Sequence, residues 1–178
     1  MLDEYGFENY ENNQFPLAYL ITFRTFGTWL HGDERHSVDI RGRNIYGTPD
    51  ILPNQKLEAE MKINMKQNAF LLDDLQRKNV EIAIAELCEN RKYFLQAINV
   101  RSNHVHAVVS AQANPERIAD AFKAFATKKL RAENLISSEI KVWSRGRSRR
   151  FLWKPRHVML AIDYVLYSQG DLPFELED

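Results

Sequence analysis

Asn99-Val100-Arg101-Ser102-Asn103-His104-Val105-His106-Ala107-Val108-Val109-Ser110 is the stretch on which the reading of this chain turns. Its first residues close an apolar run. Arg101-Ser102-Asn103 favours a turn, and an alternating apolar segment returns from it. Successive strand side chains point to opposite faces, so His104 and His106 share one face, and Val105 and Ala107 take the other. Two imidazoles side by side on a strand make half of a metal site. What completes that site, and what it acts on, must come from the rest of the chain.

Immediately upstream, residues 93–100 (YFLQAINV) read as the strand that pairs with the histidine strand. Before that, Asp73 and Asp74 suit a helix N-terminus, and Leu75, Val80, Ile84, Leu87 and Cys88 follow a helical period ending near Asn90. An earlier helical pattern starts at Asn54, with Leu57, Met61, Met65 and Asn68 on one face. Residues 17–26 (LAYLITFRTF) predict a strand that Gly27 breaks. Residues 27–53 then form a long charged loop, and its Trp29, Tyr46, Arg41 and Arg43 suit contact with unstacked bases and phosphates.

Downstream, Asn114-Pro115-Glu116 opens a helix as N-cap, first-position proline and first-turn acid. Ile118, Ala121, Phe122, Phe125 and Ala126 would line its buried face. Residues 141–144 and 150–153 read as short strands around an Arg/Gly turn. Pro155 starts a last helix that runs to about Gln169, with Gly170 as its stop. On it Val158, Ile162, Val165 and Leu166 form one apolar face, and Tyr164 and Tyr167 fall opposite.

This order predicts an α+β fold: a ferredoxin-like antiparallel sheet with helices packed on it, plus a C-terminal tyrosine-bearing helix. Residues 1–16 are an acidic lead-in, 17–170 the domain and 171–178 a tail. One cysteine, Cys88, excludes an internal disulfide and a cysteine-rich zinc site. With no early basic region and no apolar run of spanning length, the expectation is a cytoplasmic, nucleoid-associated protein without membrane contact.

Formal net charge is zero, yet residues 141–157 hold seven Lys and Arg and no acid, so the remainder carries minus seven. Such separation is what a phosphate-binding patch needs. Arg145, Arg147, Arg149, Arg150 and Lys154 are its candidate phosphate contacts. Trp143, interleaved with Phe151 and Trp153, is a candidate base-stacking residue. A tyrosine hydroxyl with a pKa of about 10 is a weak nucleophile until activated. A divalent metal on two histidines and one further polar ligand would polarise a phosphate for its attack. Attack on a DNA phosphodiester gives a phosphotyrosine, which conserves the bond energy for rejoining.

His104-Val105-His106, the basic aromatic segment through Trp153 and the helix bearing Asp163-Tyr164-Val165 together resemble the single-tyrosine HUH transposases, in particular the REP-associated tyrosine transposases. The resemblance implies a ferredoxin-like domain that binds single-stranded or hairpin DNA, and cleaves and rejoins it through a 5′-phosphotyrosine with Mg²⁺ or Mn²⁺. By position, His104 and His106 would be metal ligands and Tyr164 the nucleophile, with Tyr167 the second choice. The third ligand falls to Ser168 or Gln169. Gln169 is preferred because an amide oxygen is the more usual ligand. A homodimer is compatible with this reading. The rival readings are a non-cleaving hairpin DNA- or RNA-binding domain and a metal-dependent hydrolase with a water nucleophile.

Overall fold

The computed structural model describes residues 14–28 and 54–167. It contains β1 (Ala18–Arg24), α1 (Gln55–Ile63), α2 (Asp74–Arg91), β2 (Phe94–Val100), β3 (His104–Ser110), α3 (Pro115–Ala132), β4 (Ser148–Leu152) and α4 (Pro155–Tyr167). The strands form one antiparallel sheet in the order β2-β3-β1-β4. This is the ferredoxin-like α+β arrangement.

Alternation along the two central strands divides the interior. Tyr19, Ile21 and Phe23 of β1 and Val105, Ala107 and Val109 of β3 point to one face. There they meet Val80, Ile84 and Leu87 of α2, and Ile118, Phe122, Ala126 and Leu130 of α3. Ala18 and Leu20, with Val108, Ala97 and Leu152, point the other way, under Val158, Ala161 and Val165 of α4. One sheet thus has two helices on one side and the tyrosine helix on the other.

The helix starts follow the predicted chemistry. Asp73 accepts from the Gln76 backbone N–H at 2.8 Å, while the Gln76 side chain accepts from the Asp73 N–H at 2.9 Å, a capping box. Asn114 caps α3 by accepting from the Glu116 N–H at 2.8 Å, with Pro115 in the first turn.

The expected faces hold for Val80, Ile84, Leu87 and Cys88 of α2, Ile118, Phe122 and Ala126 of α3, and Val158 and Val165 of α4, while one expected residue of each helix is exposed. In α2 the inward residues are Gln76, Val80, Ala83, Ile84, Leu87 and Cys88, one stripe of the helix. Leu75 is one position off it and exposed. Gln76 can occupy an inward position because its amide donates to the Leu135 carbonyl at 3.0 Å. In α3 the series Ile118, Phe122, Ala126 and Leu130 leaves Phe125 exposed, and in α4 the series His157, Ala161 and Val165 leaves Leu166 exposed. α1 stops at Ile63, short of Met65 and Asn68, and buries no residue that would extend it along a core. Residues 141–144 are not a strand. They make a single bridge, Thr25 with Trp143, and β4 begins only at Ser148.

Gly27 ends the β1 segment at φ +73°, and a Cβ there would lie 2.8 Å from Met65 Sδ and 3.1 Å from Ala69 Cα. Left-handed backbone strain and close approach coincide at this residue. Gly27→Ala should therefore destabilise the fold by about 1–3 kcal/mol, read as a lower urea midpoint at unchanged slope. No helix among the described residues is long and apolar enough to cross a membrane.

Candidate active site

The sheet face beneath α4 carries the polar groups. Antiparallel register sets Arg24 opposite His104, and Thr22 opposite His106. On the other side of β3, Asn99 is opposite His106. β4 adds Ser148 opposite Thr22 and Arg150 opposite Leu20. A row Asn99–His106–Thr22–Ser148 therefore crosses all four strands, with Arg24 and His104 in the next row.

The two imidazoles lie with ring centroids 4.6 Å apart and planes at 72°. Thr22 Oγ1 is 2.7 Å from Nδ1 of His106. Nδ1 of His104 is 2.6 Å from Asn103 Oδ1. An amide oxygen only accepts, so His104 carries its proton on Nδ1 and its lone pair on Nε2. His106 takes the same tautomer when its Nδ1–H donates to Thr22. Burial, then the electrostatic influence of the neighbouring His104 and the charges of Arg24 and Arg101, push the His106 pKa down to about 3. The ring is neutral, as a metal ligand must be.

α4 lays Tyr164 against His106. Its ring centroid is 5.4 Å from that of His106, with planes at 72°. The Asn99 amide donates to the Val165 carbonyl at 3.0 Å. A sheet side chain thus holds a carbonyl of the final turn of the helix, where intrahelical partners run out. Burial raises the Tyr164 pKa, and the charges of Arg24 and Arg150 oppose that rise. Tyr164 is half-buried against the second core, whereas Tyr167 is 76% exposed.

The residues expected to contact nucleic acid separate. Alternation along β4 sends Arg149 to the α3 side, where it pairs with Glu116 at 2.9 Å. Arg147 pairs with Asp120 at 3.2 Å and Glu116 at 3.7 Å. Both guanidiniums are partly neutralised by the first turns of α3. Arg150 alternates to the tyrosine side. Arg145 is exposed at the turn, which Lys123 holds by donating to the Ser144 and Gly146 carbonyls at 2.9 and 2.8 Å. Lys154 is half-buried at the entry to α4.

Trp143 is a correction. It is 7% exposed, packs edge-on against Phe23 at 4.9 Å and donates its indole N–H to the Lys123 carbonyl and Thr127 Oγ1, both at 3.1 Å. The core has taken both its face and its donor, so no base can stack on it. Phe151 and Trp153, stacked with centroids 6.5 Å apart, keep exposed ring area instead. Arg41, Arg43, Ser168 and Gln169 lie outside the described residues.

Thr22, Arg24 and Asn99 were missed at the sequence level. For Thr22 and Arg24 the signal is a strand register between distant segments, 84 positions apart for Thr22 and His106, whereas Asn99 faces His106 across the local hairpin.

Two imidazoles with engaged Nδ1 atoms fit the first two positions of a metal site. Among the described residues no set of three or more His, Cys, Asp or Glu could hold an ion. The sequence candidates for a third donor, Ser168 and Gln169, are not among the described residues.

A comparison with curated proteins finds no match. Among solved structures, the chain is similar to a candidate transposase from Deinococcus radiodurans, with 14% identity and a TM-score of 0.47, covering 91% of this chain and 97% of that one. It is also similar to a REP-associated tyrosine transposase bound to a REP hairpin, with 9% identity and a TM-score of 0.46, covering 89% of this chain and 66% of that one. The profile of the family described as "Transposase IS200 like" matches residues 56–167, which takes in β3, the basic segment and α4. With well over half of its length matched by that profile, this chain belongs to the IS200-like transposase family.

Proposed function

We propose that the protein cleaves and rejoins single-stranded DNA, with Tyr164 as nucleophile and His104 and His106 as ligands of a divalent metal. The observation that carries this reading is the Tyr164 ring lying against His106 within a single chain, 5.4 Å between centroids. The hairpin-bound relative makes hairpin DNA the natural first substrate to try.

In the step proposed, the Tyr164 hydroxyl oxygen bonds to phosphorus and the bond from phosphorus to the 3′ oxygen breaks. The hydroxyl proton leaves to solvent, and the departing 3′ oxygen takes one up. A phosphodiester is exchanged for a phosphotyrosine diester, so a second 3′-hydroxyl can reverse the step without an energy source. Mg²⁺ or Mn²⁺, held by the Nε2 atoms of His104 and His106, would withdraw charge from the phosphate. Imidazole nitrogen is a softer donor than the oxygens Mg²⁺ prefers, and this favours Mn²⁺. Thr22 and Asn103 orient the two rings, and Asn99 holds the helix that presents the hydroxyl.

The test is a hairpin oligonucleotide labelled at either end and incubated with Mn²⁺. Label at the 3′ end should transfer to the protein in a complex that survives denaturation, and label at the 5′ end should not. A cleaved strand with a free 5′ phosphate and no adduct would make the enzyme a hydrolase and overturn the proposal.

Asn99 offers a separate check on geometry. Asn99→Leu keeps a similar volume, adds no charge and removes the donor to the Val165 carbonyl. Because small misplacements of reacting groups are costly, adduct formation should slow roughly 10- to 100-fold with hairpin affinity unchanged. Single-turnover kinetics beside equilibrium binding would show it.

A further inference from the structure

We propose that Arg24 is a catalytic residue of this site, a guanidinium from β1 that contacts the non-bridging oxygens of the phosphate attacked by Tyr164. The inference rests on the proposed strand-transfer reading and adds a residue to it. Three placements support it. Arg24 is the direct cross-strand partner of His104, so the two side chains leave the same face of adjacent strands. That face is the one α4 covers, where Tyr164 approaches His106. Its neighbours along β1 on this face are Thr22, bonded to His106, and then Leu20 in the α4 core, so strand alternation sends the Arg24 side chain out of the same face.

A planar guanidinium presents a fork of donors matched to two phosphate oxygens. Arg150 comes from the edge strand β4 opposite Leu20, two rows away from the Arg24–His104 pair. Arg24, on a central strand, therefore sits beside the histidine strand, and Arg150 sits further along the sheet. Charge that develops on the phosphate during attack would meet a donor already in place, and this is the arrangement that lowers a barrier most.

The test uses a neutral phosphate. A single methylphosphonate linkage is moved along the hairpin strand, and binding by Tyr164→Phe is compared with binding by the Tyr164→Phe/Arg24→Gln pair. The all-phosphate strand should bind roughly 10-fold more weakly to the double variant, and that difference should vanish at one linkage position only. A difference unaffected at every position overturns the contact.

With Tyr164 intact, Arg24→Gln should slow adduct formation roughly 100-fold on phosphate and only a few-fold on methylphosphonate at that linkage. Arg24→Lys should recover part of the rate. An equal deficit on both substrates would mark Arg24 as merely structural and overturn the proposal. Position-specific binding without any adduct from wild-type protein would uphold the phosphate contact while removing the strand-transfer reading and, with it, the catalytic role.

Discussion

Tyr164→Phe should abolish the covalent protein–DNA adduct completely while leaving hairpin affinity and the thermal midpoint close to wild type. The substitution removes one oxygen and keeps the ring that packs beside His106 and against the α4 core. The expected stability change is that of one hydrogen-bonding group, about 1 kcal/mol or less. The expected chemical change is total, because no other group in that place can form the ester. Tyr167→Phe is the matched control. Tyr167 is one turn further on and 76% exposed, so its hydroxyl can be lost without moving anything at the histidine pair. An adduct that persists in Tyr164→Phe and disappears in Tyr167→Phe would reverse the assignment.

On the proposed function, the same geometry supports attack in cis. The Tyr164 ring lies against His106 of its own chain, and Asn99 bonds the helix to the same chain's sheet. Mixing Tyr164→Phe with His106→Ala protein should then restore no adduct. Recovery of adduct to a sizeable fraction of the wild-type yield would show that the tyrosine crosses between protomers.

How much of this was legible beforehand follows the range of the interactions. Local signals held. Strand alternation placed His104 and His106 on one face, Asp73 and Asn114 capped the helices they were expected to cap, and the hairpin turned at Arg101-Ser102-Asn103. Helix faces were harder, because a period of 3.6 fixes spacing better than phase. Leu75, Phe125 and Leu166 each satisfied the spacing and still fell outside the packed stripe.

The basic segment was hardest. Its seven positive charges read as one patch, but β4 is a strand and divides Arg149 from Arg150. The partners of Arg147 and Arg149 are Glu116 and Asp120, in a helix some 30 residues earlier. No composition argument distinguishes a neutralised arginine from one turned toward substrate. Trp143 is the same case for aromatics. Its interleaving with arginines looked like a stacking surface, yet a single bridge to Thr25 carried it under α3.

His106→Ala should remove metal-dependent cleavage, a loss of roughly 100-fold or more if the ion supplies several kcal/mol of transition-state charge stabilisation. The reasoning is one of number. Among the described residues the site offers two imidazoles and no third member of a His/Cys/Asp/Glu set, so nothing nearby substitutes for a lost ring. His104→Ala should behave alike.

Thr22→Val separates ligation from mere presence of the ring. It preserves shape in the strand but removes the Oγ1 that lies 2.7 Å from Nδ1 of His106. The ring stays, loses the partner that sets its tautomer, and should bind metal roughly 10- to 100-fold more weakly. Titrating Mn²⁺ against adduct yield should therefore shift the midpoint for Thr22→Val and recover the wild-type plateau, whereas His106→Ala should reach no plateau at any concentration. Mg²⁺ should require a higher concentration than Mn²⁺ in the wild type, since the two proposed histidine donors are nitrogens. If His106→Ala keeps the wild-type metal response, the paired imidazoles are not the metal site, and the row from Asn99 to Ser148 must serve some other purpose than orienting a ligand.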